Sequence, residues 1–525
     1  MNNQPKQLGL NVSIFENFIE NNRVYIDKTK IIYDLITARN SAHFYFVSRP
    51  RRFGKSLFIS TLKELFAGKK ELFNEYWIGT HSNYTWPEHP VIHLDFGGIA
   101  HANAEEFKKD LGSELDRIAR IYGISITQEE TPERKLTILV EQLRQQNTVV
   151  LLIDEYDKPL VDHIANLPIA EANRKVLSSF YTTVKKLEAN WRAIFITGVS
   201  KFTKTSLFSG LNNLDELSLS PIAAELFGYT HEELVTYLSP QIQEAADHLN
   251  KTKQEMLDDM KTWYDGYRFC EDMQKAQMYN PLSVTKCLES KKFSNVWFNT
   301  GSPSFLIPLL QLNGTSLAMP DVIQATINSF DAFDINNIPL ITILLQTGYL
   351  TIVDYDPSTE LFTLDYPNRE VRESFKKYLM LAFSYASAET LEMSLVRMRS
   401  ALIFKDFEEF VLAVKSLFAS IPYNLHIPHE SYYHSLFHLM FDMLGMRPQS
   451  EVASSRGRSD LVLETAKNIL VFELKFNKTA QEALDQIIAK RYHEKYMHKG
   501  KEIVLIGLNF AFSDKALALE WLQRS

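Results

Sequence analysis

Short, dense apolar runs alternate with amphipathic stretches through the first two hundred residues. HFYFVSR (43–49), PVIHLDF (90–96), TVVLLIDEY (148–156) and RAIFITGVS (192–200) are rich in Val, Ile and Phe, and each is short. Helical stretches separate them, as over 102–121 and 172–188. This alternation predicts a parallel α/β sheet, whose strands, buried on both faces, read as unbroken apolar runs. From about residue 211 to 425 helical periodicity takes over, as in 230–262 and 370–417. It is broken by YLTIVDYD (349–356) and ELFTLDYPN (360–368), with Asp-Pro-Ser between them as a hairpin turn. The last hundred residues return to α/β: a helix over 430–444, paired strands SDLVLET (459–465) and NILVFELKF (468–476), a helix over 480–497 and a strand KEIVLIGLNF (501–510). These changes of pattern divide the chain into 1–210, 211–295, 296–424 and 425–525.

The chain has 525 residues, and at about 150 residues per domain that length suggests roughly three to four domains. With 45% hydrophobic and 23% charged residues it can bury a core, so wholesale disorder is excluded. Two cysteines, Cys270 and Cys287, make no disulfide framework, and a reducing compartment is the simplest reading. No apolar run approaches the ~20 residues that span a bilayer, and MNNQPKQLGL has no signal-peptide pattern. A cytoplasmic protein that does not enter the membrane is expected. The net charge of −8 argues weakly against a generally basic surface but leaves room for a local basic face.

FVSRPRRFGKSLFISTL starts as a strand and ends as an amphipathic helix, with Gly54-Lys55-Ser56 at the junction. A nucleotide loop needs this order. Glycine lets backbone N–H groups approach phosphate, the helix N-terminus adds positive potential, lysine reaches the terminal phosphates and serine holds Mg²⁺. The general pattern has glycine five residues before Gly54, where this chain has Arg49. About a hundred residues on, VVLLIDEYDKP is an apolar strand ending in Asp154-Glu155. There, one carboxylate can hold Mg²⁺ through water and the next can orient an attacking water. AIFITGVSK ends in Thr197, Ser200 and Lys201, which either sense a γ-phosphate or simply make a polar loop. Arg49, Arg51 and Arg52 form a cationic run that meets phosphates, meets a neighbouring subunit, or is a solvated basic turn. Arg268, in WYDGYRF, is a candidate to approach nucleotide from the lid, whereas the aromatic residues around it suit a core.

GRSDLVLETAKNILVFELKF carries a second chemistry. Asp460 opens one strand and Glu473 and Lys475 lie two apart on the next, on one face. Two carboxylates and an ammonium on one sheet face suit a divalent metal with a positioned cation, the chemistry of metal-assisted phosphodiester hydrolysis. A solvated surface ion pair is the rival reading. From Arg456 to Lys501 there are ten Lys/Arg and six Asp/Glu, a local net of +4 that suits a phosphate backbone. His426, His429, His434 and His438 cluster nearby; without Cys, or Glu in an HExxH arrangement, packing or surface roles are favoured over zinc.

RPRRFGKS, IDEYDKP, ITGVSKFTKTSLFSGLNNL and WYDGYRF followed by NPLSV together resemble the bacterial AAA-ATPase-like family over roughly residues 5–290. Residues 425–525 are similar to the PD-(D/E)XK nuclease superfamily, which that family commonly carries at its C-terminus. The implied fold is α/β: an N-terminal P-loop NTPase parallel sheet with helical lid and middle region, then a restriction-endonuclease-like domain. The resemblance implies an ATP-binding loop of Arg52, Phe53, Gly54, Lys55, Ser56 and Leu57. It implies Mg²⁺ coordination by Ser56 and Asp154 and water activation by Glu155. In the tail it implies metal ligation by Asp460 and Glu473, catalysis by Lys475, and accessory roles for Glu430 and Gln486; Ser459 stands where the motif has proline. Two functions follow as expectations. One is an ATP-hydrolysing protein whose cycle regulates a nuclease on DNA or RNA. The other is a nucleotide-dependent switch or scaffold with a non-cleaving nucleic-acid-binding domain, in defence or mobile-element biology. Related ATPases often act as rings, so a homo-oligomer belongs to the expectations, although no residue marks itself as a trans-acting arginine.

Overall fold

The computed structural model describes residues 6–9, 12–37, 43–201, 211, 213–297, 323–331, 339–404, 406–419, 430–445, 449–454, 457–464, 468–513 and 516–524. They fall into two compact units: one reaches to Leu309 and includes Val322–Arg372, the other contains Glu373–Ser525.

In the first unit the apolar runs become β1 (His43–Ser48), β2 (Val91–Asp95), β3 (Val149–Asp154) and β4 (Trp191–Gly198), joined by the two-residue β5 (Asp215–Glu216). All pair in parallel, in the order β2-β3-β4-β1-β5. Every residue of β3 is buried, as a central parallel strand requires. The helix Lys55–Phe66 packs on β3, and the helices Ala104–Ile121, Pro132–Leu143 and Leu167–Lys186 pack together. Asn103 and Thr131 cap the first and second of these three through their side chains. Parallel pairing has one functional result: all strands end at the same edge, so the loops after β1, β2, β3 and β4 collect there.

The helical run expected over 230–262 is three helices, His231–Tyr237, Ser239–His248 and Lys253–Tyr264. Pro240 enters the second at its first turn, and Asn250 takes a positive φ before the third. The first and third open with capping boxes, Thr230 with Glu233 and Thr252 with Glu255. The hairpin forms as β7 (Thr351–Asp356) and β8 (Leu361–Asp365), with β6 (Ile323–Ala325) added on the far side of β8. The region expected as 370–417 is likewise three helices, Arg369–Ser384, Ala388–Phe404 and Phe407–Phe418.

The second unit holds a mixed sheet, β13-β12-β11-β10-β9. Its strands are β9 (Gln449–Ser454), β10 (Gly457–Glu464), β11 (Asn468–Phe476), β12 (Glu502–Ser513) and β13 (Ala516–Arg524). β10 and β11 are antiparallel, β11 and β12 parallel. The two faces of β11 differ. Phe472 and Phe476 meet Phe437, Phe441 and Tyr433 of the helix Glu430–Met443. Ile469 and Val471 pack with Leu484 and Ile487 of the helix Ala480–Lys490. That helix, expected to reach 497, stops at Arg491 in the left-handed conformation, and a 3-10 turn over Glu494–Lys499 follows. The stop lets Tyr492 and Tyr496 turn into the core.

Gly507 on β12 pairs with Glu473 on β11. A β-carbon there would collide with the carbonyl of Ala480 and lie 2.7 Å from the nitrogen of Leu484, both backbone atoms. Replacing Gly507 with Ala is therefore expected to lift the helix Ala480–Lys490 off the sheet and to cost about 1–3 kcal/mol. Urea denaturation followed by circular dichroism measures the loss.

Candidate functional sites at two sheet edges

The first site grows from the end of β1. The chain leaves Ser48, turns through residues 49–54 and enters the helix Lys55–Phe66 at Gly54, whose φ is +95°. That left-handed conformation favours glycine, and a β-carbon at Gly54 would point into space empty to 4 Å. No side chain caps this helix. Its first N–H groups and its positive end face a cleft of about 580 Å³. Arg51, Arg52, Gly54, Lys55, Ser56 and Leu57 line the cleft on the loop side. Glu155 and Lys158 line it from the end of β3, and Phe18, Tyr229, Pro281, Leu282 and Thr285 complete its walls.

Lys55 is buried, and its Nζ donates to the carbonyls of Arg49 and Pro50 at 2.9 and 3.0 Å. Burial pulls its pKa down, while the carboxylates of Asp154, Glu155 and Asp157 oppose that fall. The ammonium thus rests on its own loop, beside the cleft it lines. Asp154 is buried and accepts from the Thr197 hydroxyl at 2.6 Å, across from β4, and from the Glu155 nitrogen at 3.0 Å. Glu155 has φ +50°, uncommon for a residue other than glycine. The turn is held by Tyr156 N–H donating to Thr197 and Lys158 N–H donating to the Glu155 carbonyl. Gly97 leaves room for the Glu155 carboxylate, since a β-carbon there would collide with it. Beside them Asp95, paired with Asp154 in the sheet, has its pKa raised by burial and by the carboxylates of Asp154 and Glu155. Ser56 is exposed on the cleft, while Asp154 is a hard oxygen donor at the end of β3, which β4 separates from β1, and it does not itself line the cleft. This donor set fits Mg²⁺, which keeps waters and takes phosphate oxygens alongside one or two protein ligands.

Several expected residues lie elsewhere. Arg49 is neither a phosphate contact nor a solvated turn residue. It is 1% exposed, donates to the carbonyls of Ser48, Ser218 and Ala223, and lies over the rings of Phe227 and Phe269. Burial pulls its pKa down to about 9, against the pull of Glu216. Phe53 turns away from the cleft and packs edge-on to Tyr267 and Phe269. Arg268 does not line the cleft; its Nη1 donates to the carbonyls of Asp272, Met273 and Lys275. Ser200 does not line it either: its N–H donates to Asp157 and its carbonyl accepts from Tyr156. Lys201 pairs with Glu216 at 3.2 Å. Residues 202–210 lie outside the described residues.

The second site lies on the face of β11 that meets the helix Ala480–Lys490. Glu473 is 1% exposed and Lys475 8%, so the pair is not a solvated one. Lys475 Nζ donates to Glu473 Oε1 at 3.0 Å, and Gln486 Nε2, from the helix, donates to the same oxygen. Next to Lys475 in the β11–β12 register is Asn509, which holds Lys478 at both its N–H and its carbonyl. In the β10–β11 register Leu461 faces Phe472, so the next positions outward are Asp460 and Glu473. The side chains of Asp460, Glu430 and His434 lie outside the described residues, as do His426 and His429. Among the described residues no group of three or more His, Cys, Asp or Glu stands ready to hold a metal ion. The Glu473 carboxylate is nevertheless an oxygen donor of the kind a hard divalent ion takes, whereas the Lys475 ammonium has no lone pair to offer and cannot ligate one.

A family model described as Predicted AAA-ATPase matches residues 9–208, and one for the PD-(D/E)XK nuclease superfamily matches residues 428–519. A protein of Azotobacter chroococcum mcd 1, "Uncharacterized protein in vnfD 5'region", is 32% identical over 528 residues, which is 98% of each chain. The chain belongs to the predicted AAA-ATPase family and carries a PD-(D/E)XK nuclease-superfamily domain. In this AAA-ATPase family member no helix among the described residues is long and apolar enough to cross a membrane. Sequence reasoning assigns no role to Lys158, Asp95 or the Pro281–Thr285 wall, although IDEYDKP and NPLSV are among the segments that carry the family resemblance. Lys158 had a signal, being a lysine four residues after Asp154 in IDEYDKP, just past the end of an apolar run. Asp95 had one too, as an acid ending an apolar run.

Arg49 gives the loop over residues 49–54 a testable anchor. Arg49→Met leaves the buried carbonyls of Ser218 and Ala223 without these donors, and a loss of about 3 kcal/mol is expected. Arg49→Lys is expected to recover less than half of it, because an ammonium lacks the planar fork. Thermal unfolding of the full chain with both variants checks this.

Proposed function

We propose that the protein binds and hydrolyses ATP with Mg²⁺ at the N-terminal cleft, and that this cycle regulates a metal-dependent nuclease at the C-terminal site. The observation that carries the first half is the uncapped helix start at Gly54 opening on a cleft shared by Lys55, Ser56 and Glu155. In this reading the backbone N–H groups after Gly54 and the Lys55 ammonium bind the phosphates. Lys55 exchanges its loop carbonyls for phosphate oxygens. Ser56 and Asp154 hold Mg²⁺, which when bound neutralises charge on the β- and γ-phosphates. Glu155 orients the attacking water, and Lys158, on the same wall, adds a second cation.

At the other site Asp460 and Glu473 hold the divalent ion, which when bound polarises a phosphodiester and lowers the pKa of a water. Lys475, fixed against Glu473, orients that water and stabilises developing charge, and Gln486 keeps the Glu473 carboxylate aimed. The substrate is DNA or RNA, supported by the superfamily match and by the local excess of basic residues. Regulation is supported by chain connectivity: one of the boundaries between the units, Arg372 to Glu373, lies inside the helix Arg369–Ser384.

Lys55→Ala is expected to lower kcat/KM for ATP by about a hundredfold, the scale of one lost transition-state contact. Glu155→Gln is expected to keep ATP binding and lose turnover by a similar factor. Unchanged turnover in Lys55→Ala would show that the site lies elsewhere.

A nuclease assay over single- and double-stranded DNA and RNA, with and without ATP, tests the second site. Cleavage is expected with Mg²⁺ or Mn²⁺, and its loss with chelator, in Lys475→Ala and in Glu473→Gln, each variant checked for native circular dichroism. No cleavage of any substrate under any nucleotide condition, with Lys475→Ala indistinguishable from the parent, favours a binding domain that does not cut.

A further inference from the structure

Two buried residues far apart in sequence tie the opposite walls of the N-terminal cleft together. Trp297 is 1% exposed, and its indole Nε1 donates to the carbonyl of Arg51 in the P-loop at 3.1 Å. Its own backbone N–H donates to Glu370 Oε1 at 2.7 Å. The other oxygen, Glu370 Oε2, accepts from the Ser283 hydroxyl at 2.6 Å. Ser283 lies in the helix Pro281–Ser290, whose Pro281, Leu282 and Thr285 line the cleft across from Arg51 and Arg52. Asn280 caps that helix by accepting from the N–H groups of Leu282 and Ser283. One carboxylate therefore grips both walls: through Trp297 it reaches the loop, and through Ser283 it reaches the facing helix.

We propose that Glu370 and Trp297 are positioning residues for the nucleotide cleft, setting the distance between the P-loop and the helix Pro281–Ser290 without touching nucleotide. The inference rests on the reading of this cleft as the ATP site. An acid in this place is costly, and burial pushes the Glu370 pKa up to about 7 although Ser283, Trp297 and Val296 all donate to it. Packing alone would be served by an apolar residue. A group with two acceptor atoms is needed because the two donors come from separate segments. Glutamine keeps part of this function: its oxygen accepts from Trp297 and its amide donates to the Ser283 oxygen. Alanine keeps none. For Trp297, phenylalanine keeps a six-membered ring in the core and removes the donor to Arg51 together with the five-membered ring of the indole.

The test is titration of the full-length protein with a fluorescent ATP analogue and Mg²⁺, together with kcat and KM for ATP and the thermal midpoint without nucleotide. Trp297→Phe and Glu370→Ala are expected to weaken binding and raise KM about tenfold, the factor carried by one lost buried hydrogen bond, with kcat changed less. Glu370→Gln is expected to stay within about threefold of the parent, on the same scale. Nucleotide affinity within twofold of the parent in Trp297→Phe, which keeps the ring and serves even if Glu370→Ala does not fold, overturns the proposal. Lys55→Ala, run in parallel, separates the two levels. If it binds the analogue like the parent, the ATP reading of the cleft fails; if it loses binding while Trp297→Phe does not, only the positioning role fails.

Discussion

The turn between β1 and the helix Lys55–Phe66 depends on a buried guanidinium. Arg49 stands where the general loop pattern has glycine, and it is enclosed rather than solvated. A charge in that position is tolerable only if it is held, and its two terminal nitrogens donate to the backbone carbonyls of Ser48, Ser218 and Ala223. Two of those acceptors follow β5 in the chain, so the side chain binds the root of the loop to a segment about 170 residues away. The aromatic faces of Phe227 and Phe269 close the remaining sides. With its side chain committed below the loop, Arg49 leaves its own carbonyl as one of the two rests for Lys55. The departure from the glycine pattern is thus a different way of fixing the same turn.

Both sites are built from a charged residue at or near a strand end that a side chain of a neighbouring element helps to hold. Asp154 is steadied by Thr197 from β4, which lies between β3 and β1 in the sheet. Glu473 is steadied by Lys475 on its own strand and by Gln486 from a helix. In each case the carboxylate is already fixed by hydrogen bonds. Such preorganisation suits electrostatic work, since dipoles already aimed need not reorient as charge develops.

What was legible in the chain was whatever a local pattern could carry. The runs that became β1 to β4, β7 with β8, and β10 to β12 are apolar or alternating enough to declare themselves, and the motif residues sit at their ends. β9, QSEVAS, has no apolar run to betray it. β13, ALALEWLQR, is composed largely of good helix formers, yet it pairs antiparallel with β12 along its full length, so tertiary pairing overrides propensity. The helix ending at Lys490 looked longer because its periodicity continues, but Tyr492 and Tyr496 do better in the core than on a solvated continuation. In the sites, Gly54, Lys55, Glu155, Glu473 and Lys475 announce their chemistry by spacing. Trp297 and Glu370 do not, since nothing local distinguishes a residue whose partners are brought by packing from 246 and 87 positions away.

Gly507 shows how such distant dependence is written into a strand. Its missing side chain is the space through which the backbone of the helix at Ala480 and Leu484 comes down, and that descent puts Gln486 against Glu473. The contact between the glutamine and the glutamate is therefore conditional on an atom that is missing from another element. A larger residue at position 507 would hold the helix away and take Gln486 from Glu473.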